Sequence, residues 1–398
     1  MSMLLFMPWC RLDKPYQIGG MTILPYGHDE QIVRLTDSAR SAVRAIMATY
    51  KTIEGKPIDR AALVRYSDKQ LLDDLTDDEI AQVREILALV CFCGLANRQY
   101  FSPVGDYCNT DTFSLHVQKF SDAEFTALRT RRREGYTLSG WPMKDISITI
   151  PTHCHTVRTA RLSETLLTAL GEYRAKAASS DWPRWQNALA CFNQANTDAD
   201  TVSHQVEWVL SCSAFEHLLG AKPDAKDVSR KFSEALGFPK PLSVRHARRR
   251  NSSWSNQDNT LSYEWMREFY RIRGDFAHGK LKTQQPATWN ALEHLVLAAI
   301  AFPLLVKCLL AKSPFYKLTN VDQAQLDAFE EFADTPNFMM PPSDQKGGLD
   351  SHWSRICDRH KLNAGIARAV NEAWREVTAA HENCDAKPDN ETGAGGAV

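Results

Sequence analysis

Residues 288–310 constrain the fold of this chain more than any other segment, because they are long and strongly apolar. The most apolar run, residues 295–306, contains Pro303 and is followed at once by Lys307. This run is shorter than the roughly 20 residues that a typical membrane-spanning helix needs. We therefore expect a helix buried inside a helical bundle, and we expect no membrane as a partner.

The segments before this helix also have helical patterns. After Pro151, apolar residues recur with the spacing of an amphipathic α-helix. The predicted helices cover residues 158–176, 182–193, 201–219, 228–236 and 261–273. Helices joined by modest loops are typical of an antiparallel bundle. The sequence therefore predicts an all-α bundle over residues 151–312.

Residues 1–150 have a mixed pattern that predicts an α+β domain. Strand and turn patterns, some with alternating apolar and polar residues, occur at residues 16–26, 112–120 and 146–150. Thr76 and Glu79 form a capping-box sequence before an apolar run, which predicts a helix over residues 80–95. A second helix is predicted over residues 32–50. No glycine-rich phosphate loop is found here, so the role of this domain stays open.

The C-terminal region is acidic and is predicted to be helical. We expect an appendage over residues 313–382, with one helix at 321–334 and another at 351–381, interrupted near 363–365. Residues 383–398 are polar and glycine-rich, which predicts a disordered tail. The predicted fold class is thus mixed, with an α+β domain, an all-α bundle and a helical appendage.

The distribution of charge and the spacing of the cysteines indicate which kinds of partner the protein binds and whether its compartment is reducing. Net formal charge is −1 for residues 1–150, +6 for 151–312 and −6 for 313–398. This asymmetry fits an anion-binding middle region, although drift in surface composition would produce it too. The ten cysteines show no recurring Cys-x-x-Cys pairs, so we predict free thiols in the reducing cytoplasm and no metal. The apolar residues 3–9 lack the basic segment of a secretory leader.

Arg273 and His278 are the candidates for chemistry. A neutral imidazole can accept a proton from a ribose 2′-hydroxyl, and a guanidinium can stabilise charge that develops on phosphorus. Such a pair needs no metal or other cofactor. Spacing alone is weak evidence, because similar Arg–His pairs also occur at 355–360 and 375–381. Those pairs lie in the acidic region, which is poorly suited to RNA.

Residues 269–279 carry a more specific signal, Phe-Tyr-Arg-Ile-Arg-Gly-Asp-Phe-Ala-His-Gly. This segment resembles the terminal motif of HEPN domains, most closely the ApeA-like branch, in which Tyr-x-x-Arg-x-x-x-x-His-Gly recurs. Residues 213–219 and 228–236 resemble two further helices of that branch, in the same order. The resemblance covers residues 155–312.

The resemblance implies a helical bundle that dimerises, with the Arg–His motifs of two chains in one cleft. It implies a metal-independent endoribonuclease of a phage-defence or toxin system. His278 matches the catalytic histidine, Arg273 the phosphate-stabilising arginine, and Glu216 a polar position that supports the site. RNA, a second copy, and a regulatory partner or phage-derived trigger are the partners implied. The domain over residues 1–150 is then a candidate sensor.

One departure and several weaker features leave alternatives open. Gly274 stands where many active members have Asn, His or Asp, which favours a catalytically silent RNA-binding or dimerisation module. A metal hydrolase around His153 and His155 is a third alternative, without an evident fourth ligand. Four arginines in a basic loop could contact RNA phosphates or form an ordinary solvated surface: Arg245, Arg248, Arg249 and Arg250. Arg271 is a further candidate phosphate contact.

Overall fold

The N-terminal strands form one seven-stranded sheet. The computed structural model describes residues 2–27, 36–101, 107–154, 159–177, 181–238, 241–251, 254, 256–277, 288–342 and 351–385. The sheet consists of β1 (Met3–Met7), β2 (Tyr16–Ile18), β3 (Met21–Tyr26), β5 (Ala61–Tyr66), β6 (His116–Phe120), β7 (Ala127–Arg131) and β8 (Thr137–Pro142). Its order is β2-β3-β5-β1-β6-β7-β8, and all neighbours are antiparallel. Two short strands, β4 (Tyr50–Lys51) and β9 (Ile148–Thr149), pair in parallel.

Ten α-helices occur in the part of the chain that the structure describes. They are α1 (Asp37–Thr49), α2 (Asp77–Leu95), α3 (Glu164–Lys176), α4 (Trp182–Gln194), α5 (His204–Leu219), α6 (Ala225–Leu236), α7 (Leu261–Ala277), α8 (Ala291–Lys312), α9 (Asn320–Asp334) and α10 (His352–Asp385). The mixed fold predicted from the sequence, with a sheet region before the helices, is confirmed. The capping box of Thr76 and Glu79 at the start of α2 is confirmed as well.

Strand β1 lies in the middle of the sheet and is buried on both faces. Successive strand residues point to opposite faces, and Met3, Leu5 and Met7 join the large core that the sheet shares with the bundle. Leu4 and Phe6 join a smaller core under α1. The sheet therefore connects the helical bundle on one side to α1 on the other.

The predicted boundary at residue 150 does not coincide with a division of the core. Helix α2 precedes this boundary, yet Phe92 contacts Phe192 of α4 and Phe302 of α8, with ring centroids 5.6 and 6.0 Å apart. All three rings are almost fully buried. Burial of these large apolar side chains stabilises α2 as part of the bundle.

The predicted appendage also begins inside the core. Phe329 of α9 is fully buried and contacts Trp265 of α7, with ring centroids 5.6 Å apart. Trp353 at the start of α10 packs on Phe332. Helix α10 then continues through residues 363–365 without the predicted interruption. Only its later part leaves the body of the protein.

Helix α8 is the bundle helix that the sequence predicted. It is long and apolar enough to cross a membrane by length and composition, but 72% of its most apolar window is buried inside the protein. This burial is what a core helix requires. Asn290 and Glu293 close its N-terminus with a capping box. No disulfide joins the cysteines for which the structure gives a description.

Candidate functional site

Helix α7 presents the candidate motif along the side that faces α5. Residues three and four apart lie on one side of a helix, so Phe269, Tyr270 and Arg273 share a side. Phe269 is fully buried, and its carbonyl oxygen accepts a hydrogen bond of 2.8 Å from Trp208 Nε1 of α5. The ring and the hydrogen bond fix the distance and rotation of α7 against α5.

Glu216, Tyr270 and Arg273 form one cluster between these two helices. The Tyr270 hydroxyl donates to Glu216 Oε2 at 2.5 Å. Arg273 Nη2 lies 3.7 Å from the same carboxylate oxygen. The guanidinium carbon of Arg273 lies 5.4 Å from the centre of the Tyr270 ring, within the range of a cation–π contact. The structure thus brings together the predicted Glu216 and Arg273, which are far apart in sequence.

The electrostatics of the cluster favour a neutral phenol beside Glu216 and Arg273. Burial raises the pKa of Tyr270, and the hydrogen bond and negative charge of Glu216 raise it further. Tyr270 therefore remains a hydrogen-bond donor at neutral pH. Burial likewise raises the pKa of the neighbouring Cys212 thiol, against the opposing charge of Arg273. Cys212 is consequently a neutral core residue and no thiolate nucleophile.

Arg273 keeps hydrogen-bonding capacity for a ligand. Its Nε is buried and has no partner within the ranges that the structure describes. The Nη2 distance to Glu216 is that of an ion pair, too long for a hydrogen bond. Arg273 therefore has a buried Nε, while 28% of its side chain is exposed. Such a guanidinium can donate two parallel hydrogen bonds to a phosphate.

His278 lies outside the described residues, as does the rest of residues 278–287. The chain is held firmly on both sides of this segment. Helix α7 reaches Ala277, and at the other end the backbone N–H of Thr288 donates to Glu268 Oε1 at 3.1 Å. Glu268 belongs to α7 and is also 3.2 Å from the buried His294 Nε2. Glu268 therefore ties the beginning of α8 to the helix that carries Arg273.

Arg249 is not placed to contact RNA, which corrects the prediction for this residue. Its guanidinium donates to Glu293 at 2.6 and 3.2 Å and to the carbonyl oxygens of Thr288 and Thr335 at 2.8 and 2.9 Å. Only 10% of its side chain is exposed. The spacing of basic residues predicted a surface cluster, but the loop turns Arg249 inwards to neutralise a buried carboxylate.

The other arginines of the basic loop have different surroundings. Arg245 is exposed and forms a 3.1 Å ion pair with Asp258. Arg250 donates through Nη1 to the carbonyl oxygens of Val244 and Arg245, which closes the loop on itself. Arg248 is exposed, and its backbone N–H donates to Asp334. The role of these three residues as phosphate contacts stays a prediction.

Arg271 lies on α7 away from the cluster. Its side chain is 57% exposed, and Nη1 lies 3.9 Å from Asp275. A surface ion pair of this length contributes little to stability. Arg271 is therefore available to a polyanion, and its role as a phosphate contact stays a prediction.

Gly274 occupies an open position on α7. A Cβ atom built there meets nothing within 4 Å. Neither packing nor a close backbone approach from the described residues requires glycine. A side chain at this position would therefore leave the helix without a clash at its Cβ atom.

We expect Gly274→Ala to raise the free energy of unfolding by about 0.5–1 kcal/mol, because glycine loses more backbone entropy than alanine in a helix. Urea denaturation monitored by circular dichroism measures this change. Gly220→Ala is the matched control and should destabilise the protein, since Gly220 caps α5 at φ +52° and its Cβ would lie 3.2 Å from Arg184. A destabilising Gly274→Ala would mean that this position has a hidden packing constraint.

Two other places could have held a site. A cavity of about 540 Å³ lies beside Arg98, but Asp198, Asp200 and Glu207 line it, which disfavours a polyanion such as RNA. His153 Nε2 lies 3.6 Å from Asp111, and His155 is outside the described residues. Among the residues with a described placement, no group of three His, Cys, Asp or Glu side chains could hold a metal ion.

Tyr270 is the site residue that sequence reasoning left without a role. It is part of the sequence motif, and its position three residues before Arg273 places both on one side of the helix. That spacing could have identified it as a partner of Arg273. Its hydrogen bond to Glu216 depends on the packing of α5 against α7, which the spacing does not reveal.

Comparisons with known proteins identify no relative of this chain. No family model, curated protein or solved structure matches the chain. The class of the site accordingly depends on the geometry of the cluster and on the sequence motif.

Proposed function

We propose that the protein is a metal-independent endoribonuclease with a HEPN-type site centred on Arg273 and His278. The observation that carries this proposal is the cluster of Glu216, Tyr270 and Arg273 at the end of α7. It holds a partly exposed guanidinium a few residues before the histidine of the motif. The resemblance to HEPN domains supports the same assignment of roles.

The proposed reaction uses one proton acceptor and one fixed positive charge from the protein, and water provides the proton for the leaving oxygen. Neutral His278 accepts the proton of a ribose 2′-hydroxyl, and the 2′-oxygen forms a bond to phosphorus. The bond from phosphorus to the 5′-oxygen breaks, this oxygen takes up a proton from water, and the protonated His278 returns its proton to the solvent. The products are a 2′,3′-cyclic phosphate and a 5′-hydroxyl. Arg273 stabilises the negative charge on the phosphoryl oxygens during the displacement.

Glu216 and Tyr270 act in this scheme as positioning residues. The carboxylate attracts Arg273, and the ring of Tyr270 provides a negative face for a cation–π contact. By donating to Glu216, Tyr270 fixes the orientation of the carboxylate. The guanidinium is thereby held before RNA binds, so less entropy is lost when the phosphate arrives.

The assembly and regulation that we propose follow the family pattern. Two copies pair through the bundle, residues 155–312, so that two Arg–His motifs face one RNA strand in the cytoplasm. A free ribonuclease harms its host, so a regulatory partner or phage-derived trigger controls it. The sheet region in residues 1–150 is the candidate sensor, since its core continues into the bundle.

A catalytically silent RNA-binding or dimerisation module is the alternative. Gly274 favours it, because the residue provides no side chain next to Arg273. The open space at Gly274 provides a direct test. Under the alternative, Gly274→Asn creates or raises cleavage activity, whereas the proposed enzyme is active with glycine in place.

Incubation of the purified protein with total cellular RNA in EDTA tests the proposal. We expect wild type to produce fragments with 5′-hydroxyl and cyclic phosphate ends. Arg273→Ala should abolish cleavage, and Arg273→Lys should restore part of it, because an ammonium lacks the planar fork of guanidinium. Arg267→Ala is the matched control on α7, as Arg267 pairs with Glu264 away from the cluster. Equal activity in wild type and Arg273→Ala would remove this site from consideration.

A further inference from the structure

The later part of α10 extends from the body of the protein with its side chains exposed to solvent. Residues 366–376 are all exposed. The whole helix has 34 residues, which corresponds to a length of about 51 Å at 1.5 Å per residue. The exposed stretch, residues 366–376, is short, and an isolated helix of fewer than about 12–15 residues is only marginally stable in water. A partner that packs along this stretch would stabilise it.

One side of this exposed stretch is apolar. Leu362, Ile366, Val370 and Trp374 are 64%, 54%, 48% and 67% exposed. Their spacing of four residues places them in one row along the helix. Single exposed apolar residues are ordinary, but a contiguous row marks an interaction surface.

The charges of α10 are divided between its two halves. Residues 352–368 contain four basic residues and one acidic residue, whereas residues 369–385 contain one basic and four acidic residues. Two such helices attract each other when they run in opposite directions, because each basic half then lies beside an acidic half. A parallel arrangement would bring like charges together. The acidic half also argues against an anionic membrane surface, which attracts helices that are basic along their polar face.

We propose that a second copy of this chain docks along α10 in the antiparallel direction. The apolar row is symmetric about residue 368. A two-fold axis there places Ile366 of one copy opposite Val370 of the other, and Leu362 opposite Trp374. A two-fold interface uses the same surface on both copies, so the row must be complementary to itself. Both the apolar spacing and the division of charge satisfy this condition.

This interface is separate from the bundle pairing proposed above and does not depend on ribonuclease activity. If both surfaces pair, four chains assemble; if only α10 pairs, two chains do. In either case, disruption of α10 halves the mass of the assembly. Disruption of α10 leaves the mass unchanged if only the bundle pairs.

Sedimentation equilibrium of the full chain tests the interface. The variant Leu362→Gln/Ile366→Gln/Val370→Gln replaces three of the four residues of the apolar row with glutamine, a residue that favours helices. We expect half the mass of wild type at the same concentration. The matched control replaces three exposed apolar residues elsewhere, Ile53→Gln/Val321→Gln/Met340→Gln, which are 67%, 47% and 65% exposed. It should keep the wild-type mass.

An unchanged mass in the α10 variant would overturn the proposal. Another protein or this chain's own tail would then be the segment that covers the row. Near-ultraviolet circular dichroism verifies that both variants keep the native fold. The substituted side chains are exposed, so the core should be unaffected.

Charge reversal tests the direction of the pair. Lys361→Glu/Arg368→Glu makes both halves acidic, and Glu372→Lys/Glu376→Lys makes both halves basic. Each variant alone should dissociate at concentrations where wild type is assembled. The combined variant has opposite charges again and should regain the wild-type mass. Equal masses in all four proteins would contradict the antiparallel arrangement.

Discussion

His278→Ala is expected to lower the rate of RNA cleavage by about 10²–10⁴-fold, the usual effect of removing a general base. Imidazole has an ordinary pKa near 6.5, so it can accept a proton at neutral pH, and alanine cannot. The fold should be unaffected, because the segment that contains His278 is held at both ends by other residues. Cleavage of a labelled RNA in EDTA, with the ends of the fragments identified, measures the effect.

Two other histidines serve as controls for this experiment. His204 pairs with Glu207 at the start of α5, and His360 of α10 pairs with Glu331 of α9. His204→Ala and His360→Ala should cleave at the wild-type rate, although His360 follows an arginine with the same spacing as the motif. A His278→Ala protein as active as wild type would refute the proposed general base. Lack of activity in every protein would favour the silent module.

Arg249→Ala is expected to lower the free energy of unfolding by about 3–5 kcal/mol, the usual result of removing one partner from a buried ion pair. The substitution leaves Glu293 charged and buried, with 5% of its side chain exposed. It also leaves the carbonyl oxygens of Thr288 and Thr335 without their donor. Urea denaturation of wild type and variant measures the difference.

The neighbouring Arg248→Ala is the matched control for stability. Arg248 is exposed and bonds to Asp334 only through its backbone, so its removal should change the free energy of unfolding by at most about 0.5 kcal/mol. If Arg248 contacts RNA, its loss should lower the salt slope of binding by roughly 0.7 for a single strand. If the Arg249→Ala protein is as stable as wild type but binds RNA more weakly, Arg249 contacts RNA at the surface, contrary to its burial in the structure.

The sequence predicted the helices well because their signals are local. Spacing of apolar residues and capping residues act within one or two turns, and helices α3 to α9 lie close to the predicted segments. Strands β1 and β5 were not predicted. They are buried in the middle of the sheet, so their apolar runs do not alternate with polar residues. Without alternation, a short apolar run does not distinguish a strand from a helix.

Domain boundaries were harder to predict, since they depend on which surfaces pack together. The sequence divides at residue 150, where strand patterns change to helical ones. The packing of the helices crosses this boundary, because the apolar side chains of α2 contact α3 and α4. The acidic composition of residues 313–382 likewise predicts a separate appendage, although Phe329 and Phe332 are buried in the common core.

The sequence by itself determined the helical bundle, the order of its helices and the Arg273–His278 motif, because these follow from local spacing and residue type. Only the tertiary structure decided that Glu216 and Tyr270 hold Arg273, that Arg249 is buried, and that the row on α10 is exposed. Each of these depends on contacts between residues far apart in the chain. The side chain of an arginine can face solvent or a buried carboxylate with the same local sequence, and packing alone selects between them.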